Sequence, residues 1–244
     1  MLPQNSKTYS EKSYWDTRFQ TEASHDWLAT YAQLRPLLLP YIRPASRILI
    51  LGNGNSPLPL ALASDGFLHV LATDYSEVVV ERMRAAQAPT VSWACADMLR
   101  LPEAPLPHAG AYDCVIDKGA LDAIVSAQGD SWAPPAADLA ASHAVCAGVA
   151  ALLRPGGCFI CVSFSQPHFR TPHLLQREGA GAAPAPPAPA LAASSGGEDS
   201  DFEPDLNPGA ARPPQPALEG SLWSSLSVQR VEAGLGYFCY ILTK

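Results

Sequence analysis

Hydrophobic and polar positions alternate along this chain in two rhythms. Ile48-Leu49-Ile50-Leu51 is a short unbroken apolar run, partly β-branched, which reads as a strand buried on both faces, as in a parallel sheet. It runs into Gly52-Asn53-Gly54-Asn55-Ser56-Pro57. There Ser56 suits a helix cap and Pro57 a first helical position, and the helix at 57–64 closes on Gly66. Residues 69–73 read as a second strand ending at Asp74-Tyr75-Ser76, with Ser76 capping a helix that carries Val78, Val79, Val80 and Met83 toward Ala86. Residues 91–96 form a third strand ending at Asp97-Met98, and after a proline-rich loop at 102–107 comes a fourth at 112–117. Helical periodicity returns at 136–153 and is stopped by Arg154-Pro155-Gly156-Gly157, and 158–165 is a fifth strand. Residues 224–231 and 237–242, with a turn at 232–236, read as an antiparallel hairpin. Strand–helix alternation predicts a right-handed, doubly wound parallel α/β sheet.

Ahead of the first strand, residues 1–13 read as a flexible polar tail. Trp15, Arg18 and Phe19 then share one helical face, and Asp26-Trp27-Leu28 follows. This stretch is either a helix packed on the sheet edge or an aromatic flap over a ligand at the glycine turn. Apolar residues at 31–41 recur at helical spacing, and Pro36 predicts a kink or split there. At 178–219 Ala, Pro, Gly and Ser dominate around an acidic knot of Glu198, Asp199, Asp201, Glu203 and Asp205, a composition that cannot build a core. The expected organisation is one domain made of 14–177 and 220–244, interrupted by a disordered insertion at 178–219.

Composition narrows the options. A length of 244 residues with 48% hydrophobic content suits one α/β domain with an insertion. A net charge of -7 disfavours nucleic acid as a partner. No apolar run is long enough to span a bilayer, and the polar N-terminus predicts no targeting segment, so membrane association is not expected and a cytoplasmic location is. Six cysteines are scattered, mostly in strands. Cys158 and Cys161 have metal-like spacing, but on a strand an odd separation sends them to opposite faces, so they read as small core hydrophobes rather than a metal or redox pair. No metal site is expected.

The candidate chemistry sits at strand ends. Gly52 and Gly54 leave no Cβ between backbone and ligand. A dinucleotide fingerprint wants a third glycine at position 57, where this chain has proline. Asp74, about twenty residues on, is placed to meet ribose hydroxyls. Asp97 is placed to accept from an adenine amino group, which a nicotinamide site does not need. Each acid could equally be a loop or cap residue. At successive strand ends, with the glycines, they point to a single site. Asp117-Lys118 at the fourth strand end is either a loop ion pair or part of a reaction mouth.

These stretches, with Lys118-Gly119-Ala120-Leu121-Asp122, Leu153-Arg154-Pro155-Gly156-Gly157, Tyr14-Trp15 and Asp26-Trp27, resemble class I S-adenosylmethionine-dependent methyltransferases. The likeness is closest to the branch of elongation factor 1-alpha lysine methyltransferases and covers about 14–170 and the last strands. It implies a seven-stranded Rossmann-like sheet with an antiparallel last strand, S-adenosylmethionine as cofactor and a lysine-bearing protein as substrate of a monomeric enzyme. It implies that Gly52, Gly54 and Asn55 line the cofactor and that Asp74 holds the ribose. Tyr75, Asp97 and Met98 would frame the adenine, and Lys118 would lie against the cofactor. Trp15, Phe19 and Trp27 match cofactor-contacting positions of the family's N-terminal flap. Asn53, where relatives usually have cysteine, and the insertion are departures. Asp117 is the residue expected to orient the acceptor amine. The alternatives are a small-molecule methyltransferase and a catalytically silent cofactor-binding module.

Overall fold

The computed structural model describes residues 6–85, 90–107, 109–125, 133–175, 218, 220–232 and 236–244. The sheet has seven strands in the order β3-β2-β1-β4-β5-β7-β6. These are β1 (Arg47–Leu51), β2 (His69–Asp74), β3 (Val91–Cys95), β4 (Tyr112–Lys118), β5 (Leu153–Ser163), β6 (Ser225–Val231) and β7 (Tyr237–Thr243). Strands β1 to β5 are parallel, and β7 runs antiparallel between β5 and β6. The chain order reverses between β1 and β4, the place where doubly wound sheets open a crevice at the carboxyl ends of their strands.

The unbroken apolar run of β1 is explained by its two covered faces. Ile48 and Ile50 pack into one core with Leu34, Leu38 and Leu62, while Leu49 and Leu51 pack into another with Val145, Val149 and Phe159. Cys158 and Cys161 divide in the same way between the two cores, as strand periodicity requires, and all six cysteines are free.

Seven α-helices are described: α1 (Lys12–Thr21), α2 (Tyr31–Leu38), α3 (Leu58–Ser64), α4 (Glu77–Ala85), α5 (Ala120–Ile124), α6 (Ala136–Leu152) and α7 (Pro167–Leu174). Several differ from the sequence reading. Pro36 leaves α2 continuous, because a capping box between Thr30 and Gln33 sets its first turn and the helix ends two residues past the proline. Pro57 is the N-cap of α3 rather than its first residue, and the Ser56 hydroxyl accepts from Leu58 N–H at 3.2 Å. Strand β5 begins at Leu153 and bulges between its pairings to Tyr112 and Cys114, so the glycine stop belongs to the strand. Helices α5 and α7 were not anticipated.

Part of the expected tail is ordered: Ser6–Ser10 is a 3-10 helix, held where Trp15 Nε1 donates to the Tyr9 carbonyl at 2.7 Å. Residues 1–5 and the turn at 233–235 lie outside the described residues. So does the insertion expected at 178–219, apart from Leu218.

Candidate active site

Three corners meet at the carboxyl ends of β1, β2 and β3. After β1 the chain turns through Gly52 and Gly54, both left-handed with φ of 51° and 54°. The turn is stitched to the next strand: Asn53 N–H donates to the Thr73 carbonyl at 2.8 Å, and Gly54 N–H donates to Asp74 Oδ2 at 2.8 Å. Asp74 Oδ1 accepts from Ser76 N–H at 3.0 Å. Asp74 is 4% exposed, and burial pushes its carboxyl up to about 6 against the downward pull of those backbone N–H groups. The third corner follows through Ala96 N–H to the Asp74 carbonyl at 2.9 Å, and Asp97 caps the 3-10 helix Met98–Glu103 through Leu99 N–H at 2.9 Å. Met98 is buried there, close to Gly52, while Tyr75 is half-buried.

The N-terminal segment closes over these corners. Phe19 is buried, and its ring lies 3.1 Å from where a Cβ on Gly54 would stand. Trp15 stacks on Phe19 with centroids 5.6 Å apart, Trp27 meets Trp15 edge-on, and the Arg18 guanidinium lies 4.8 Å from the Trp27 ring centre. Burial is thus shared among the aromatics and the glycine loop, on which the segment packs directly.

Polar tethers fix this segment on every side. Arg82 Nη1 donates to the Phe19 and Glu22 carbonyls at 2.7 and 2.8 Å, and the Ser76 hydroxyl pairs with Asp16. Asn55 Nδ2 donates to the Glu22 carbonyl at 3.1 Å, and Ser56 donates to Asp26 at 2.8 Å. The chain doubles back at Leu28, whose φ of 64° is unusual for a non-glycine residue, and its side chain fills the space a Cβ would need at Gly119.

One sequence reading, that of Asp117, is corrected here, and two residues expected to line the cofactor, Lys118 and Asn55, also tether the flap. Asp117 does not face an acceptor. It is wholly buried, and its Oδ1 accepts from Ala120 and Leu121 N–H at 3.0 and 3.1 Å, so it caps α5, while Oδ2 accepts from Cys161 Sγ. Burial, then the charge of Asp122, pushes it up to about 6. Lys118 Nζ is committed to Asp26 Oδ1 at 2.8 Å and to the Trp27 carbonyl at 2.7 Å, so it latches the flap; burial lowers its pKa. Asn55 is likewise a tether of the flap. Lys118→Met is expected to cost about 1.5–3 kcal/mol, the range for a hydrogen bond to a charged group, and to raise amide exchange across 12–28. Unchanged exchange there would show that the latch does not hold the segment.

The sequence reading also missed residues. Asn53 Oδ1 is buried without a partner in the middle of the glycine turn. Beside the crevice, Asp122 on α5 pairs with Arg170 on α7, both buried, and Ser163 donates to Asp122 Oδ1 at 2.6 Å. Nothing in the local pattern of Pro167-His168-Phe169-Arg170 signals that partnership.

A doubly wound sheet with an antiparallel seventh strand, a left-handed glycine turn and acids closing the next two strands is the frame of a class I methyltransferase. The cofactor of that class is S-adenosylmethionine, and the residues present fit it. Asn53 Oδ1 is an acceptor in want of a donor, and Asp74 is a buried carboxylate at the same corner. No protein-family model matches the sequence. EEF1A lysine methyltransferase 4 of Bos taurus is 38% identical over 180 residues, 72% of this chain and 69% of its own length. The Mus musculus protein of that name is 37% identical over 180 residues, with the same coverage. The eEF1A lysine and N-terminal methyltransferase of Homo sapiens is 31% identical over 69% of this chain and 23% of that larger protein. A solved structure concerned with conversion of a disulfide bond into a thioacetal group during echinomycin biosynthesis shares the fold, with a TM-score of 0.53, 17% identity, and 96% of this chain and 93% of that one covered. The chain belongs to the EEF1A lysine methyltransferase family of S-adenosylmethionine-dependent methyltransferases.

Proposed function

We propose that this enzyme methylates a lysine side chain of a protein, with elongation factor 1-alpha as the acceptor. The observation that carries the reading is the convergence of Gly52, Asp74 and Asp97 on adjacent strand ends, joined by the Gly54-to-Asp74 and Ala96-to-Asp74 hydrogen bonds. The names of the relatives support the choice of acceptor. When bound, the cofactor supplies a methyl group made electrophilic by its sulfonium sulfur.

The chain's own residues bind, orient and exclude water. Asp74 accepts from the ribose hydroxyls, Asp97 and Met98 border the adenine, and Asn53 Oδ1 takes a donor from the polar end of the cofactor. The latched aromatic segment keeps water out, which leaves positioning as the main source of rate enhancement. Lysine has a reference pKa of about 10.4 and must arrive neutral. The buried carboxylates nearest the reaction side do not serve as its base: Asp117 is taken up by α5 and Asp122 by Arg170. With these two carboxylates engaged among the described residues, we take the proton to leave to solvent before the amine docks, and transfer is expected to accelerate as pH rises. The unbridged cysteines support a reducing, cytoplasmic setting, and we take the working form to be a monomer.

Labelled methyl transfer to purified elongation factor 1-alpha tests the reading. A labelled lysine in the wild type, lost in Asp74→Asn with the fold retained, is the expected result; cofactor binding with no labelled protein would overturn the choice of acceptor. The pH dependence of binding gives a second test. With Asp74 at about 6, protonation below that value removes the charged acceptor and turns one oxygen into a donor, so affinity for S-adenosylhomocysteine should fall about tenfold between pH 7 and pH 5. Stability moves the other way. The folded carboxyl binds its proton at a higher pH than the unfolded one, about 3.9, so its contribution to stability grows as pH falls from about 6 to about 4. Calorimetric titration at the two pH values, in wild type and Asp74→Asn, checks this; equal affinity at both in the wild type would refute it.

A further inference from the structure

We infer that Phe164 is an acceptor-recognition residue, an aromatic anchor against which the methylated protein docks. The cofactor corners occupy the ends of β1, β2 and β3, so an acceptor must approach from the β4 and β5 side of the crevice. Phe164 is the first residue past β5 on that side, and at 59% exposure it is the most exposed large hydrophobic among the described residues. The strand beneath it is tied to the β4 turn, where Gly119 N–H donates to the Val162 carbonyl at 3.1 Å.

A single exposed apolar side chain is ordinary on a protein surface. What distinguishes Phe164 is its support. Its N–H donates to Asp122 Oδ2 at 3.3 Å. Ser163, just before it, donates to Asp122 Oδ1 and accepts from Arg170 Nε at 3.2 Å. Ser165, just after it, donates its N–H to Ser163 Oγ at 2.9 Å, and its carbonyl accepts from the Tyr240 hydroxyl at 2.6 Å. Buried charge is costly, and this cluster spends it on fixing three backbone residues at the rim of a reaction site. The result is a ring held out in water on a rigid mount, the form in which aromatic side chains act as binding anchors. The occupant is the segment of the acceptor protein that carries the target lysine, whose aliphatic stem and apolar neighbours cover the ring. The inference rests on the protein-lysine reading above.

The test is steady-state transfer to elongation factor 1-alpha by wild type, Phe164→Ala and Phe164→Trp, with S-adenosylhomocysteine affinity measured on each. Phe164→Ala should raise KM for the acceptor about tenfold, the scale of losing an interface anchor, with cofactor affinity and Tm unchanged, and Phe164→Trp should stay near wild type. A photo-crosslinking amino acid at position 164 should capture the acceptor, and the same group at Leu68, which precedes β2 at the opposite end of the sheet, should not. Unchanged KM in Phe164→Ala, equal capture at both positions, or parallel loss of cofactor binding overturns the assignment. A wild type that binds S-adenosylhomocysteine yet transfers nothing to this acceptor overturns the choice of acceptor instead, and the role of Phe164 in docking it.

Discussion

Gly52→Ala is expected to cost about 2–5 kcal/mol of stability and to abolish tight cofactor binding. Two costs combine. The backbone at Gly52 is left-handed, with φ of 51°, which penalises an L side chain by about 1–2 kcal/mol. The new Cβ would also stand 2.3 Å from the Ala120 Cβ, and overpacking of this kind costs about 1–3 kcal/mol. Neither group can retreat, because Ala120 opens α5 and its N–H is held by Asp117. Adding Ala120→Gly should restore the overpacking share and leave the backbone share, a separation that urea midpoints of the wild type, both single variants and the double variant would measure. A Gly52→Ala protein within about 0.5 kcal/mol of wild type would mean that the β1 and β4 turns do not meet as described.

Arg170→Met should be comparably severe, at about 3–5 kcal/mol near neutral pH, because it leaves Asp122 charged and buried without its partner. Asp117, wholly buried nearby and already pushed up to about 6, loses a neighbouring positive charge as well. Both folded carboxyls should then bind protons more readily than the unfolded chain, so the deficit is expected to shrink as pH is lowered from 7.5 to 5. Removing both charges in Asp122→Asn with Arg170→Met should recover part of the loss, since no lone charge then stays buried. Guanidinium denaturation at the two pH values decides the matter. A deficit that does not change with pH would point to lost packing of the long arginine side chain rather than an orphaned carboxylate.

How far the sequence could be read is clearest at particular residues. Ile48 to Leu51 could be assigned because an unbroken apolar run has one economical home, a strand covered on both faces, and the two cores divide its residues as that predicts. Asp74 and Asp97 could be placed because strand ends of such a sheet share one edge, and the bonds of Asp74 to the glycine turn and to Ala96, beside Asp97, follow from it. Asp117 sits at the same edge, yet its side chain caps α5. A carboxylate beside both a crevice and a nascent helix has two outlets, and local pattern does not choose between them. The first turn of α5 offers two N–H groups within 3.1 Å, and that decides it.

Sequence alone therefore determined the succession of the strands and of the helices other than α5 and α7, the two-faced burial of the sheet and the edge where the glycine turn meets the acids, because these depend on periodicity and on turn chemistry over a few residues. Tertiary structure alone decided which way polar side chains turn. It sent Lys118 to Asp26 across 92 residues, Asp122 to Arg170 across 48, and left Asn53 Oδ1 without a partner. A charged or amide group takes whichever complementary atom the fold brings within about 3 Å, and that neighbour is set by how distant turns pack, not by the residues beside it in the chain.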